Sequence, residues 1–448
     1  MNDQSIARII SYNLSGEEIC ASAARISTTY GDSIEIFEKA KNNSKNQNLI
    51  TKVLASGHKS VIEHAWFTIA FKNVSAYVEQ FFIEFRLASF TVKSRRYVDF
   101  SHQGYYIPDG LNEISKKTYC QYMDQLFEGY SYLLFNGVPK EDARFLLPYS
   151  FNSNFYCTLN ARELLNIIHA IKRGRGKGIP ELQSIADQIV SQVLNIYPSL
   201  CSELIFEQDN KSDTNCITNE IRGEVEYYDI DRAAEIVELI QSPKSPRNEL
   251  QTIHRVSNPL EPNVDYQSLI ASTRGRELEH LSYTFLIPSI SLSGITHIVR
   301  HRMQSIVVPP IQSINYTKFI LPPSIKENAA FTAYYKNMIS YANNLLKKVA
   351  IDENLKKYSY YFALSGNVTS IATTMNAREL MLFIRLRSCN RAQWEIRRIA
   401  VSMLKLLRND FPELFNLYGP TCYLTGYCSE GKMSCGKKDQ VLLEFSVL

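Results

Sequence analysis

The chain contains an internal repeat. Residues 160–164, Asn-Ala-Arg-Glu-Leu, recur unchanged as residues 376–380, a distance of 216 positions. Glu63-His64 recurs at the same distance as Glu279-His280, and each pair precedes a short apolar, β-branched stretch. A shared offset at separate places is the signature of a duplicated fold unit. We therefore expect two related domains in tandem.

The length of the chain agrees with duplication. Its 448 residues exceed an ordinary single domain of about 100–200 residues. A composition of 45% hydrophobic and 21% charged residues is typical of a folded globular protein with a large core. The sequence predicts repeat 1 over 1–211 and repeat 2 over 217–448, with the polar stretch 207–215 at the junction.

Charge and hydropathy exclude some classes of protein. The 49 basic and 45 acidic residues leave a net charge of +4, a small excess that does not argue for duplex nucleic acid as the main partner. No run of about 18 apolar residues predicts a membrane span, and the first residues do not resemble a leader peptide. Six of the nine cysteines are scattered, which is typical of a reducing compartment. We expect a cytoplasmic location.

Both repeats show the same order of predicted elements. Short β-branched and aromatic stretches predict strands over 65–71 and 282–287. A helix is predicted after each strand, with Ser75 and Ser293 near its start. Apolar spacing predicts further helices over 160–172, 376–387 and 392–407. A sheet combined with several helices in each repeat predicts the α+β class.

One basic segment stands out as a candidate site. Arg300, His301 and Arg302 follow an apolar stretch, where cationic groups are costly unless they are solvated or paired with anions. The planar guanidinium of arginine binds anions such as phosphate, and histidine titrates near neutral pH. A solvated surface cluster is the alternative interpretation.

A second candidate lies on the predicted helix 376–387. Asn376, Leu380, Phe383 and Arg387 fall on one face of an ideal helix. An amide and a guanidinium on either side of an apolar stripe could border a ring-shaped ligand. The alternative is an amphipathic helix with solvated ends.

Together these motifs resemble those of the flavin-dependent thymidylate synthases, the ThyX family. Residues 300–305 match the start of its Arg-His-Arg-x-x-Ser motif, and residues 57–64 match its Gly-His-x-Ser-x-x-Glu-His block. The downstream motif residues are matched by Asn376, Arg378, Arg387 and 392–396. The resemblance runs once through each repeat. It implies two tandem ThyX-like domains, each a mixed sheet flanked by helices.

The resemblance also implies an activity. Members of the family transfer a one-carbon unit from methylenetetrahydrofolate to dUMP, giving dTMP, with FAD as cofactor and NADPH as reductant. Two alternatives stay open. One is a flavoenzyme acting on another pyrimidine nucleotide or on nucleic acid, and the other is a non-catalytic protein that binds flavin or nucleotide.

Residue roles follow from the same resemblance. Arg387 is implied as the catalytic and substrate-binding arginine, whose fixed guanidinium stabilises charge on a uracil carbonyl oxygen. FAD contacts are implied for Arg300, His301, Arg302, Asn376, Arg378, His280 and His64. Nucleotide contacts are implied for Ser94, Arg96 and Ser305. For His64 a purely structural role is the alternative.

The two repeats depart from the family motif in complementary ways. Repeat 1 has Glu84 and Phe85 where the motif has its first arginine and its histidine, and Ile171 where repeat 2 has Arg387. It also lacks the Ala-Gln-x-Glu-Ile block. Repeat 2 has Asn315 at the place of Arg96.

The family assembles its sites from several chains of a homotetramer. We therefore expect a homodimer of the doubled chain, in which repeat 2 supplies the flavin residues and repeat 1 the nucleotide-phosphate residues. The alternative is that repeat 1 is only a scaffold. Thr91 and Val307 replace the motif asparagine, which leaves the identity of the pyrimidine open.

Three cysteines near the C-terminus form the last candidate site. Cys422, Cys428 and Cys435 have the spacing Cys-x5-Cys-x6-Cys, which is not that of a standard zinc finger. Three thiolates could hold zinc with a fourth ligand from elsewhere, or an iron–sulfur cluster. Free cysteines in an exposed tail are the alternative.

Overall fold

The computed structural model describes residues 4–204, 223–233, 236–273 and 275–448. The chain divides into two compact units. The described residues of unit 1 are 4–204 and 334–364. Those of unit 2 lie within 223–333 and 365–448. The predicted boundary between 211 and 217 lies outside the described residues, so the limits of the two repeats stay a prediction.

Each unit is built on a four-stranded antiparallel sheet. The strands of unit 1 are β1 Ile6–Tyr12, β2 Trp66–Ser75, β3 Ser89–Val92 and β4 Asn152–Asn160. Those of unit 2 are β5 Glu226–Tyr228, β6 Glu238–Gln241, β7 Ser282–Ser291, β8 Gln304–Val307, β9 Lys318–Ile320 and β10 Val368–Asn376. The strand orders are β1-β2-β4-β3 and β6-β7-β10-β8, which correspond one to one, and β5 and β9 form a separate parallel pair.

Helices surround both sheets. The first nine are α1 Gly16–Ile26, α2 Ser33–Ala40, α3 Asn46–Ala55, α4 Ala76–Ile83, α5 Glu113–Phe135, α6 Lys140–Ala143, α7 Ala161–Lys172, α8 Pro180–Ile196 and α9 Cys201–Leu204. The others are α10 Pro246–Ser257, α11 Tyr266–Ala271, α12 Leu292–Ile298, α13 Pro323–Lys326, α14 Ala329–Val349, α15 Ala377–Arg387, α16 Trp394–Asp410, α17 Pro412–Phe415, α18 Thr421–Thr425 and α19 Lys438–Ser446. Among the described residues, none of the helices combines the length and the apolar character that a membrane crossing requires.

The α+β class and the predicted elements are confirmed. The two predicted strands are β2 and β7, and the predicted helices are α7, α15 and α16. Ser75 begins α4 as expected, and Ser293 lies near the start of α12 as expected, as its second residue. The hydroxyl that caps α12 is that of Ser291, which accepts from the Gly294 N–H. The four-stranded sheets are antiparallel throughout rather than mixed.

Each of the two sheets buries one face. Successive side chains of a strand point to opposite faces, so buried and less buried residues alternate along it. The alternating buried residues include Phe67, Ile69 and Phe71 in β2, and Tyr283, Phe285 and Ile287 in β7. This alternation fixes the register of the central strands, because a slip by one residue would expose every apolar side chain of that face.

One segment of the second repeat lies in unit 1. Residues 334–364 include most of α14, whose Tyr334 and Tyr341 pack on Tyr132 and Tyr122 of α5 at ring distances of 4.2 and 6.2 Å. The Tyr149 N–H also donates to the Ala363 carbonyl. The compact units therefore differ from the sequence repeats over this segment.

Matching side-chain contacts support the duplication. In each unit a threonine of the second strand of the sheet (β2 or β7) forms a hydrogen bond with a threonine of the neighbouring strand. A glutamate before that second strand forms an ion pair with an arginine in the first turn of α7 or α15. The threonine pairs are Thr68–Thr158 and Thr284–Thr374. The ion pairs are Glu63–Arg162 and Glu279–Arg378.

A buried glutamate anchors the helix after the second strand of each sheet. In unit 2, Glu395 accepts hydrogen bonds from the Ser291 N–H and hydroxyl at 2.7 and 2.6 Å, at the start of α12. In unit 1, Glu181 accepts from the Ser75 N–H at 2.8 Å, at the start of α4. Repeat 1 lacks the Ala-Gln-x-Glu-Ile block in its sequence, as expected, but its Glu181 takes the structural place of Glu395.

We expect Glu181→Ala to lower the free energy of unfolding by about 3 kcal/mol, because the buried Ser75 N–H and the Ser5 and Tyr361 hydroxyls lose their acceptor. Urea unfolding followed by circular dichroism measures this. The control is Glu63→Ala, which removes an exposed ion pair and should cost less than about 1 kcal/mol. Equal losses in the two variants would contradict the account.

Candidate active site

The basic segment Arg300–Arg302 lies beside the start of α15. It connects α12 to β8, and Gln304 of β8 pairs with Met375 at the end of β10. Asn376 then caps α15 by accepting a hydrogen bond from the Glu379 N–H at 2.9 Å. The antiparallel register therefore brings together two motifs that are about 75 residues apart in sequence.

His301 is buried at the centre of this region, whereas Arg300 and Arg302 are exposed. Its Nδ1 lies 2.8 Å from a carboxylate oxygen of Glu379. Its Nε2 lies 3.1 Å from the Nε of Arg387, which is half-buried. The interpretation of a solvated surface cluster is therefore wrong for His301, which joins Glu379 to Arg387.

These contacts determine the protonation state of the imidazole. An arginine Nε–H only donates, so the His301 Nε2 must be the acceptor and the proton must lie on Nδ1, which donates to Glu379. Burial lowers the pKa of His301, and the charge of Arg387 lowers it further, while Glu379 acts in the opposite direction. The lowered pKa keeps the imidazole neutral at pH 7.

The predicted apolar stripe on α15 does not face a ligand. Leu380 and Phe383 are fully buried, and the Phe383 ring packs edge-on against His301 with centroids 5.0 Å apart. This face of the helix therefore belongs to the core of the unit. Other nonpolar side chains near the basic segment are exposed. They are Met303 and Val307 at β8, and Leu382 and Leu386 on α15.

The structure also places four other predicted cofactor residues and one predicted nucleotide-binding residue, Ser305. Asn376 uses its side-chain oxygen for the cap of α15, and Arg378 pairs with Glu279 and donates to the Thr273 carbonyl. His64 and His280 are exposed at the ends of short 3-10 helices that precede β2 and β7. Ser305 is exposed on the edge strand β8.

Unit 1 fills the equivalent region differently. The guanidinium of Arg175 lies over the rings of Phe81 and Phe85 at 4.6 and 5.4 Å and forms an ion pair with Glu84. Phe85 and Ile171 take the places of His301 and Arg387, so no imidazole is present to hold an arginine. The substitutions in repeat 1 therefore form a new set of contacts.

Unit 1 keeps a second arginine cluster that sequence analysis found only in part. Arg96 is half-buried, and its Nε lies 3.2 Å from Glu141. Its backbone N–H donates to the Ser94 hydroxyl. The buried Arg95 pairs with Glu79 at 2.9 Å.

Arg144 belongs to the same region but was missed. It is fully buried, and its Nε donates to the Glu141 carbonyl. Burial raises the pKa of Tyr149, and both Arg95 and Arg144 are close enough to oppose that rise. A comparison of the repeats could have found Arg144, because repeat 2 has Tyr360 at the corresponding position.

The C-terminal cysteines pack near the turn that follows Arg387. The Cys435 sulfur lies 3.8 Å from the Asn390 amide, and Arg391 donates to the Met433 carbonyl. Over the ranges that the structure describes, no three His, Cys, Asp or Glu side chains are arranged to hold a metal ion. The predicted metal site at Cys422, Cys428 and Cys435 is therefore not supported.

A family model described as "Thymidylate synthase complementing protein" matches residues 8–199 and 238–413. The chain belongs to this family. The two matched segments agree with the tandem duplication, and the resemblance drawn from the motifs is confirmed.

Curated relatives bear the name flavin-dependent thymidylate synthase. The chain is 37% identical to that of Geobacter sulfurreducens over 172 residues, 37% of this chain and 72% of the relative. It is 35% identical to that of Clostridium tetani over 181 residues, 36% of this chain and 71% of the relative.

Two solved structures align with 45% of this chain. The UMP/dUMP methylase PolB from Streptomyces cacaoi, bound with 5-Br dUMP, aligns with a TM-score of 0.38 and 22% identity, over 45% of this chain and 94% of that one. Thymidylate synthase X from Helicobacter pylori, with FAD and dUMP, aligns with a TM-score of 0.36 and 20% identity, over 45% and 100%.

Proposed function

We propose that the chain is a flavin-dependent thymidylate synthase that converts dUMP to dTMP with methylenetetrahydrofolate and NADPH. Family membership and the names of the curated relatives support this activity. The observation that carries the proposal is the position of Arg387, which His301 holds beside the exposed Arg300 and Arg302.

The side chains of unit 2 fit FAD as the cofactor. FAD combines a planar ring system with two phosphates, and the segment offers exposed arginines next to exposed nonpolar side chains such as Met303 and Val307. Bound FAD supplies the reducing equivalents for the reaction. We propose contacts to it from Arg300, His301, Arg302, Asn376, Arg378, His280 and His64.

Arg387 is proposed as the catalytic residue. Addition to a uracil ring places negative charge on a carbonyl oxygen, and a guanidinium fixed beforehand stabilises that charge without reorganising. The bond to His301 engages the Nε–H of Arg387, and the guanidinium carries further N–H donors on its terminal nitrogens.

Ser94, Arg96 and Ser305 are proposed to bind the nucleotide. Arg96 is held by Glu141 in a region that also contains the buried Arg95 and Arg144. Such a concentration of guanidinium groups fits the phosphate dianion of a nucleoside monophosphate. The replacement of the motif asparagine by Thr91 and Val307 favours a second candidate, another pyrimidine nucleotide.

Purified protein supplied with dUMP, methylenetetrahydrofolate, FAD and NADPH should form dTMP, measured by chromatography. Arg387→Ala should lower kcat on the order of 100-fold or more, because the charge on the carbonyl oxygen loses its donor. The control Arg162→Ala, in the exposed pair with Glu63, should keep full activity. A flavin-loaded protein that makes no dTMP from dUMP would contradict the proposal, and product from UMP would favour the second candidate.

The flavin content should be one FAD per chain. Phe85 and Ile171 remove the imidazole and the arginine from repeat 1, and Arg175 lies over Phe85, so all of the proposed cofactor residues except His64 lie in repeat 2. We propose that two such chains form a homodimer. Absorbance of released flavin and light scattering measure both quantities, and two FAD per chain would show that repeat 1 binds flavin as well.

Arg96→Ala should raise the KM for dUMP about 10-fold or more, through the loss of one charge-assisted contact to phosphate, while kcat stays within a few-fold. Steady-state kinetics at varied dUMP check this, with Arg162→Ala again as the control. An unchanged KM would mean that repeat 1 is only a scaffold at this position.

A further inference from the structure

Glu379 is a buried carboxylate that the proposed reaction does not yet use. It lies in the first turn of α15, where its backbone N–H is held by the Asn376 cap and its Oε1 lies 2.8 Å from the Nδ1 of His301. Burying a carboxylate is costly unless its oxygens accept hydrogen bonds. Its place beside the imidazole therefore requires an explanation.

We propose that Glu379 is a positioning residue, which acts through His301 to orient Arg387 for catalysis. This inference rests on the proposed function, in which Arg387 contacts the substrate. Glu379 itself touches neither substrate nor cofactor in this account.

The chemistry of the three groups gives the mechanism. A carboxylate only accepts hydrogen bonds, so it selects the imidazole tautomer with its proton on Nδ1. That tautomer leaves a lone pair on Nε2, which accepts the Arg387 Nε–H at 3.1 Å. The opposite tautomer would place two donors face to face and would release Arg387. Phe383, packed edge-on against the imidazole, limits the rotation of the ring.

Repeat 1 provides an internal comparison. Its Glu163 corresponds to Glu379 and is buried in the same helix turn, capped by Asn160. Glu163 accepts instead from the Leu87 N–H at 3.3 Å and the Asn166 amide at 3.0 Å. Glu163 therefore has only a structural role, because repeat 1 has neither the histidine nor the arginine. Its replacement serves as the matched control for Glu379.

The network also predicts a pH dependence. The charged groups that face His301 are Glu379 and Arg387, with Arg300 and Arg302 adjacent in the chain. Protonation of Nε2 would remove the acceptor and place a cation against Arg387, so kcat should fall as the pH drops through the pKa of His301. Because Glu379 acts to raise that pKa, a neutral amide in its place should move this acidic limb to lower pH.

The kinetic test uses Glu379→Gln with Glu163→Gln as the control. In Glu379→Gln we expect kcat to fall about 10- to 100-fold, because Arg387 is no longer held in the orientation that the reaction requires. The KM for dUMP and the FAD content should stay within about 2-fold of the wild type, and the acidic limb should move to lower pH. Glu163→Gln should leave all of these unchanged. Glu379→Asp, which keeps the charge, should lower kcat with a smaller shift of the limb.

A second measurement does not depend on turnover. Nitrogen NMR of 15N-histidine-labelled protein, with the His301 signal assigned by its loss in His301→Gln, should show a neutral imidazole protonated at Nδ1 at pH 7. In Glu379→Gln the signal should change to the other tautomer or to a mixture.

The outcomes separate this inference from the proposed function. A wild-type protein without dTMP synthesis would contradict the proposed function, and the NMR signal would still test the network. A wild-type kcat and acidic limb in Glu379→Gln, an equal loss in Glu163→Gln, or an unchanged tautomer would each overturn the role of Glu379.

Discussion

The hydrogen bond between the neutral imidazole of His301 and the Nε–H of Arg387 is the interaction on which the site depends. It requires a buried histidine, a lowered pKa and a proton on Nδ1, and the structure supplies all three. Fixing a guanidinium in advance costs conformational entropy. Packing within the fold offsets this cost, so that substrate binding does not have to. The antiparallel pairing of β8 with β10 brings the two halves of this arrangement together.

Duplication explains how the chain can contain one complete histidine–arginine arrangement and a second, altered copy of the same region. Both units keep the strand order, the threonine pair across the sheet and the buried glutamate that anchors the following helix. Unit 1 has Phe85 and Ile171 in place of the histidine and arginine, and the guanidinium of Arg175 lies over the Phe85 ring. Repeat 2 has Tyr360 at the position of Arg144. Each copy was free to lose what the other retained.

The sequence predicted much of the fold because repeat offset, strand alternation and helix capping are local signals. Asn160 and Asn376 begin helices as expected, and β2 and β7 alternate as half-buried strands do. Other features depend on distant contacts. Glu181 was missed because its spacing to the matching serine differs by two residues from that of Glu395. The stripe of Leu380 and Phe383 was one candidate border for a ligand, but it is fully buried, and spacing alone cannot tell which face of a helix the fold buries.

The central claim is that this chain synthesises thymidylate with an arginine carried only by its second repeat. Growth of a thymidine auxotroph that expresses the full chain tests it most directly. The account predicts growth without thymidine for the wild type and for Arg175→Ala, and no growth for Arg387→Ala at equal expression. Growth of the Arg387→Ala strain, or failure of the wild type, would contradict it.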